Sequence, residues 1–215
     1  MLPPVTADFL HPSSCSLKIC GVTRETDAIQ LAELGVHALG ANFWPRSKRF
    51  LDPAHAGFLK DLAGRIYRVG VFVNAGTHQP RELFELGLID AVQLHGDEPD
   101  SDLLALAASG IPLIRSATLE NARVPAGNAA LLLDAHAPGV YGGTGQTIDW
   151  SAAARFVQEN PALPVILAGG IVPENAAIAV RTVRPCAIDI ASGAESAPGI
   201  KDFDKVRALL AALEG

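Results

Sequence analysis

A single α/β domain with a parallel sheet closed into a barrel is the fold this sequence predicts. Three observations carry that prediction. Eight short apolar runs recur along the chain, each about the length of a buried strand. The stretches between them place apolar residues at helical spacing, which is the alternation of a parallel sheet. The chain has 215 residues, 49% of them hydrophobic, enough for one compact domain with a large core. Strand count and length together favour a (β/α)8 TIM barrel, with a doubly wound open sheet as the alternative.

The elements follow in order. Residues 1–16 read as an irregular N-terminal extension, rich in proline and serine, and residues 17–215 as the barrel. Residues 17–20 form a first strand that ends at Gly21. Thr23 can cap a helix over 24–34, with Ala28, Leu31 and Ala32 inward and Gly35 as its stop. Residues 37–43 form the second strand, followed by a basic loop with Arg46, Lys48 and Arg49. Asp52-Pro53 opens another helix, since proline at an early helical position loses no hydrogen bond.

Residues 66–73 are apolar enough for a strand buried on both faces. A helix over 80–86 ends at Gly87. Residues 91–95 form the fourth strand, and its alternation puts Gln93 and His95 on one side. Pro99 starts a helix through Leu103, Leu104 and Ala107, stopped by Gly110. Residues 111–117 form the fifth strand, followed by a short, weak helix near 119–122. Residues 129–134 form the sixth, with its helix over 151–158. Residues 163–168 form the seventh, ending in Gly169-Gly170, and Pro173 heads the next helix through Ile178 and Val180. Residues 186–190 form the eighth, followed by Ala191-Ser192-Gly193. Val206, Leu209, Leu210 and Leu213 give the last helix its apolar face.

Composition narrows the function. A formal net charge of -6 argues against nucleic acid and anionic membrane as partners. No apolar run is long enough to span a bilayer, and the first residues lack the basic and apolar regions of a signal peptide. The cysteines, Cys15, Cys20 and Cys186, are odd in number and lack metal-like spacing. They point to a reducing, cytoplasmic setting rather than a disulfide framework. The expected assembly is a monomer or a homodimer.

Candidate chemistry gathers at the predicted C-terminal ends of the strands, where barrel enzymes carry their sites. The sixth strand ends on Asp134. The loop beyond it holds Gly142, Gly143, Thr144 and Gly145, whose backbone N–H groups and hydroxyl can converge on an anion. Strand one brings Cys20, the second loop Arg46, Lys48 and Arg49, and strand four Gln93 and His95. The seventh and eighth strands end in the turns Gly169-Gly170 and Ser192-Gly193, a recurring phosphate position in barrels. Each residue alone has a structural reading: Cys20 as core, the cations as a solvated loop, His95 as a hydrogen-bonded side chain. Asp134 could cap a turn and Asp149 the following helix. A thiol, an acid, cations and anion nests on one rim favour an enzyme acting on a phosphorylated small molecule by proton transfer. Cys15, in an exposed extension, and Cys186, at the opposite end of its strand, take the structural reading.

These pieces together resemble the phosphoribosylanthranilate isomerase family. The matching segments are Lys18-Ile19-Cys20-Gly21, Trp44-Pro45-Arg46-Ser47-Lys48-Arg49, Val69 to Asn74, and Gln93-Leu94-His95-Gly96-Asp97-Glu98. Further on come Leu133-Asp134, Gly142-Gly143-Thr144-Gly145 with Asp149-Trp150, and Leu167-Ala168-Gly169-Gly170. Pro173-Glu174-Asn175, Ser192-Gly193 with Glu195, and Lys201-Asp202 complete the set. Ala191 stands where the family usually has a serine, and Ala41-Asn42 where the second strand is usually more apolar. Residues 1–16 lie outside the likeness. The resemblance implies an Amadori rearrangement of a phosphosugar in tryptophan biosynthesis, with no metal or cofactor. It implies Cys20 as general base, Asp134 as general acid and Arg49 as partner of the anthranilate carboxylate. Gln93 and His95 would orient substrate or hold the rim, and the three glycine turns would bind phosphate. Another phosphosugar barrel isomerase would share the turns but not this Cys, Asp and Arg together. A non-catalytic barrel would tolerate loss of the acid or base.

Overall fold

The computed structural model describes residues 9–10, 14–134 and 148–214. Eight parallel strands close into a barrel in sequence order. They are β1 (Ser16–Cys20), β2 (Ala38–Asn42), β3 (Tyr67–Phe72), β4 (Ala91–Leu94), β5 (Leu113–Ala117), β6 (Ala130–Leu133), β7 (Val165–Leu167) and β8 (Ala187–Ile190). β8 returns to β1, pairing Ser16 with Ala187 and Lys18 with Asp189, so the open-sheet alternative falls away. Around the barrel run α1 (Glu25–Glu33), α2 (Phe58–Asp61), α3 (His78–Glu85), α4 (Asp100–Ala107), α5 (Trp150–Glu159), α6 (Pro173–Val183) and α7 (Phe203–Leu213). Among the described residues, no helix is long and apolar enough to cross a membrane.

Strand alternation divides the core into two. Outward residues such as Leu17, Ile19, Leu39, Leu131, Leu133 and Ile188 pack against the helices. Inward residues, among them Ala38, Val69, Ile114, Leu132 and Ile166, fill the barrel interior. Phe9, 1% exposed, joins the inner cluster and stacks on Tyr67 with ring centroids 5.4 Å apart. Burying a ring of that size contributes about 1.5–3 kcal/mol. Part of the segment read as an irregular extension thus closes the N-terminal end of the barrel, and β1 begins one residue early, at Ser16.

Local departures from the expected elements have local causes. Thr23 does not cap α1; its hydroxyl donates to Gly199 O at 2.9 Å, and Arg24 occupies the cap position. Asp52 accepts from Ala54 N, but the turn it caps is a 3-10 turn, Pro53–His55, and α2 starts only at Phe58. Between β5 and β6 the short helix expected near 119–122 is a 3-10 turn, Leu119–Asn121, and a second 3-10 turn, Ala126–Asn128, follows it. Pro125 and the left-handed Gly127 (φ 72°) interrupt that stretch.

The rim that carries the site is tied together below its surface. Glu98, 4% exposed, accepts from the backbone N–H groups of Asn74 and Gly96 and pairs with Arg115 at 2.9 Å. One buried carboxylate therefore joins the segments after β3 and β4 to β5. Charge-assisted bonds of this kind hold loops more firmly than neutral ones.

Candidate active site

A cavity of about 430 Å³ opens at the C-terminal ends of the strands. Cys20, Arg49, Gln93, His95, Asp134, Gly169, Gly170, Ser192 and Gly193 all line it. The remaining expected positions, Gly142, Gly143, Thr144 and Gly145, lie outside the described residues. Arg46 and Lys48 also border the opening.

Cys20 ends β1 with its side chain inward. Lys18 lies two residues earlier on the same face, completely buried, with Nζ 2.8 Å from Asp189 Oδ1 on β8. Lys201 Nζ donates to the Cys20 carbonyl at 2.6 Å and to Glu195 Oε1 at 2.7 Å. Burial raises the Cys20 thiol above its ordinary value and Asp189 raises it further; Lys18 and Lys201 oppose them. The cations that the thiolate needs are therefore present. The nearest is a strand lysine rather than the basic loop, and it does not by itself overcome burial.

Asp134 continues the β6 ladder, its N–H donating to Ala117 O at 3.0 Å. His95 Nε2 lies 3.7 Å from Asp134 Oδ2. On the other side of the ring, Nδ1 is 2.7 Å from Ser116 Oγ and 3.0 Å from Gln93 Nε2. With the Gln93 amide donating, Nδ1 is an acceptor, and the neutral ring carries its proton on Nε2, toward Asp134. Gln93 is 1% exposed, and among the described residues its Oε1 accepts no hydrogen bond. Gln93 borders the cavity.

Arg49 departs from the simple picture of a fork wholly open to substrate. Its Nε and Nη2 sit on Glu195, at 2.8 and 2.6 Å, and Glu195 is held in turn by Lys201 and by Gly199 N. Burial opposes ionisation of Glu195, but Arg49 and Lys201 outweigh it and hold the carboxyl below the usual carboxylate range. Among the described residues, Nη1 of Arg49 takes no part in the Glu195 contact. Its stem lies so close to Gly21 that a Cβ there would collide with Arg49 Cδ.

The turns after β7 and β8 converge. Gly169 and Gly170 have φ of 85° and 63°, a left-handed pair suited to presenting backbone donors. A Cβ on Gly193 would run into the Ile171 carbonyl, so the two turns are packed directly together. Asn175 secures the first by donating to Gly170 O at 3.0 Å. Asp149 has the plain role of capping α5, accepting from Ser151 N and Ala152 N.

Several participants escaped the sequence reading. Lys18 and Asp189 carry a signal, since a charged residue inside a short apolar strand is uncommon. Ser116 carries none, because its closeness to His95 depends on β4 and β5 lying side by side. Glu195 and Lys201 stand in the matched segments, but Glu195 meets Arg49 across 146 residues of sequence. At the other end of the barrel, Cys15 is half-buried rather than exposed, beside Cys186. Burial pushes both thiols up to about 12.

A closed (β/α)8 barrel with a cavity at its C-terminal rim, framed by a thiol, a carboxyl, an arginine and packed glycine turns, defines a barrel enzyme. Comparison with known proteins makes this specific. Residues 17–212 match the family model described as N-(5'phosphoribosyl)anthranilate (PRA) isomerase. An N-(5'-phosphoribosyl)anthranilate isomerase of Myxococcus xanthus is 44% identical over 209 residues, covering 93% of this chain and 96% of that one. The crystal structure of phosphoribosyl anthranilate isomerase from Thermus thermophilus has a TM-score of 0.81 at 38% identity, covering 93% of this chain and 98% of that chain. A phosphoribosyl anthranilate isomerase in complex with reduced 1-(o-carboxyphenylamino)-1-deoxyribulose 5-phosphate has a TM-score of 0.77 at 31% identity, covering 94% and 99%. The chain belongs to the N-(5'-phosphoribosyl)anthranilate isomerase family.

Proposed function

We propose that Cys20 and Asp134 are the base and acid with which this chain isomerises N-(5'-phosphoribosyl)anthranilate to 1-(2-carboxyphenylamino)-1-deoxyribulose 5-phosphate in tryptophan biosynthesis. The observation that carries the assignment is their placement on one cavity, at the ends of β1 and β6, in a chain of this family.

The anthranilate carboxylate meets the outer edge of Arg49, while Glu195 fixes the inner edge and so the plane of the fork. The phosphate lies in the packed turns Gly169-Gly170 and Ser192-Gly193, with Gly142, Gly143, Thr144 and Gly145 as the further contributors expected from sequence. Asp134, as the neutral acid, protonates the furanose ring oxygen. The C–O bond breaks, the ring opens to an iminium ion, and Asp134 becomes a carboxylate. Cys20, as thiolate, removes the proton from the adjacent sugar carbon and becomes a thiol. The resulting enolamine tautomerises to the ketone. His95 presents its Nε2 side to Asp134, where it can orient the carboxyl, and the acid regains its proton from water between turnovers. Gln93 holds the His95 ring at the edge of the cavity.

The test is direct. Purified protein is mixed with phosphoribosylanthranilate and the loss of substrate fluorescence is followed, beside Asp134→Asn and Cys20→Ser. Loss with the wild type and not with the variants supports the assignment. No loss with folded wild type rejects the activity, and unimpaired variants reject the residue roles.

A further inference from the structure

We propose that Lys18 is a positioning residue for this reaction: its ammonium, anchored by Asp189, faces the Cys20 sulfur and favours the thiolate form that is aimed into the cavity. The inference rests on the reading of Cys20 as base.

Lys18 stands in the middle of β1, where alternation puts it on the inner face with Cys20. Its side chain is 0% exposed, and Asp189 Oδ1 lies 2.8 Å from Nζ. The interior layers of a barrel are ordinarily filled with branched apolar residues. A buried ion pair there is a poor source of stability, because well-packed apolar residues often do as well or better. A function at this position is the better explanation.

Gly40 on β2 shows what the pair is arranged for. A Cβ at that position would lie 2.7 Å from Cys20 Sγ and 3.1 Å from Lys18 Nζ. Sulfur and ammonium therefore close on the same small space, which the missing side chain leaves open. The other charged groups facing the thiol are otherwise engaged. Lys201 donates to the Cys20 carbonyl and to Glu195, and Arg49 lies against Glu195. Asp189 is the opposing charge: it disfavours the thiolate directly but orients the cation that favours it. Lys18 is the cation with a proton left to direct at sulfur. Once the thiolate has taken the substrate proton, the Lys18–Asp189 pair remains neutral beneath it, and release of that proton restores the charge-assisted contact.

The experiment reads the thiolate itself. The pH dependence of carbamidomethylation at Cys20 is measured by mass spectrometry in folded wild type, Lys18→Met, Asp189→Asn and the double variant Lys18→Met/Asp189→Asn. Lys18→Met should move the midpoint up by about one pH unit or more, which is roughly tenfold slower labelling at a fixed pH below it. Asp189→Asn keeps the cation and removes its competitor, so its midpoint should fall. The double variant compared with Asp189→Asn isolates the lysine, and serves if the single lysine variant does not fold. The rising limb of kcat against pH should shift with the labelling midpoint. A double variant with a midpoint no higher than that of Asp189→Asn overturns the proposal. A shifted midpoint beside a fully active Cys20→Ser enzyme would show instead that the base assignment, not the electrostatic pairing, has failed.

Discussion

Glu195 occupies the Nε–Nη2 edge of Arg49, with contacts of 2.8 and 2.6 Å, and thereby decides which edge of the guanidinium faces the cavity. Arg49→Ala should raise KM for phosphoribosylanthranilate by roughly tenfold to a hundredfold, the value of a charge-assisted pair. Lys48→Ala, a change at an exposed point charge, should have a much smaller effect. Glu195→Gln should fall between the two, raising KM while leaving most of kcat. Steady-state kinetics on the three variants tests this. Equal effects of the Arg49 and Lys48 variants would reduce Arg49 to part of a general positive field.

The acid has a sharper signature. Asp134→Asn preserves shape but has no proton to give, and turnover should fall by about 10²–10⁴-fold with the fold intact. Ser116→Ala should cost less, since it removes a 2.7 Å contact to the His95 ring and a 3.3 Å contact from Gln93 Nε2 but leaves the acid in place. Its effect should appear in kcat rather than KM. Circular dichroism and kcat on both variants are the measurements. A near-normal Asp134→Asn enzyme would remove that residue from the mechanism.

The thiols should separate by depth. Cys15 and Cys186, with values pushed up to about 12 by burial, are almost wholly protonated at neutral pH. Both should label slowly in the native protein and quickly after unfolding in denaturant. That reverses the sequence expectation for Cys15. Cys15→Ser and Cys186→Ala should keep catalytic activity, the second at some cost in stability, whereas Cys20→Ser should abolish most of it. Bound product analogue should protect Cys20 alone. Labelling of each cysteine, native and unfolded, with and without the analogue, decides all of these.

The Arg49–Glu195–Lys201 cluster also sets an acid limit. Glu195 has a folded value below its ordinary 4.5. Its contribution to stability is therefore fully present above that ordinary value, and is lost as pH falls through the lower folded value. Glu195→Gln has no carboxyl to protonate, so its melting temperature should decline less than that of wild type over this acid range. Parallel melting curves from neutral pH down to about pH 3 test the sign. Identical slopes would mean that Glu195 titrates alike in both states.

How far each feature was legible depended on the range of the interaction behind it. Strand positions came within a residue or two because alternation and apolar runs are local. Gln93 and His95 shared a face for the same reason, and Cys20 and Asp134 could be placed at strand ends. The short helix expected after β5 formed as a 3-10 turn, Leu119–Asn121, and Thr23 turned to Gly199 instead of capping α1. Phe9 could not be assigned to the barrel floor, because nothing near it in sequence specifies Tyr67 as its partner.

The sequence alone determined that the chain alternates strand and helix, which residues end the strands, and which family those residues resemble. These follow from periodicity, turn chemistry and short spaced motifs, all read within a few residues. Only the tertiary structure decided the charge environment of those residues. Barrel closure brings β8 beside β1 and so Asp189 beside Lys18 beneath Cys20; the pairing of β4 with β5 brings Ser116 to His95; and the contact of the second loop with Glu195 turns the Arg49 fork. Protonation depends on burial and on charges a few ångströms away, and in a closed sheet those neighbours come from strands far apart in the chain.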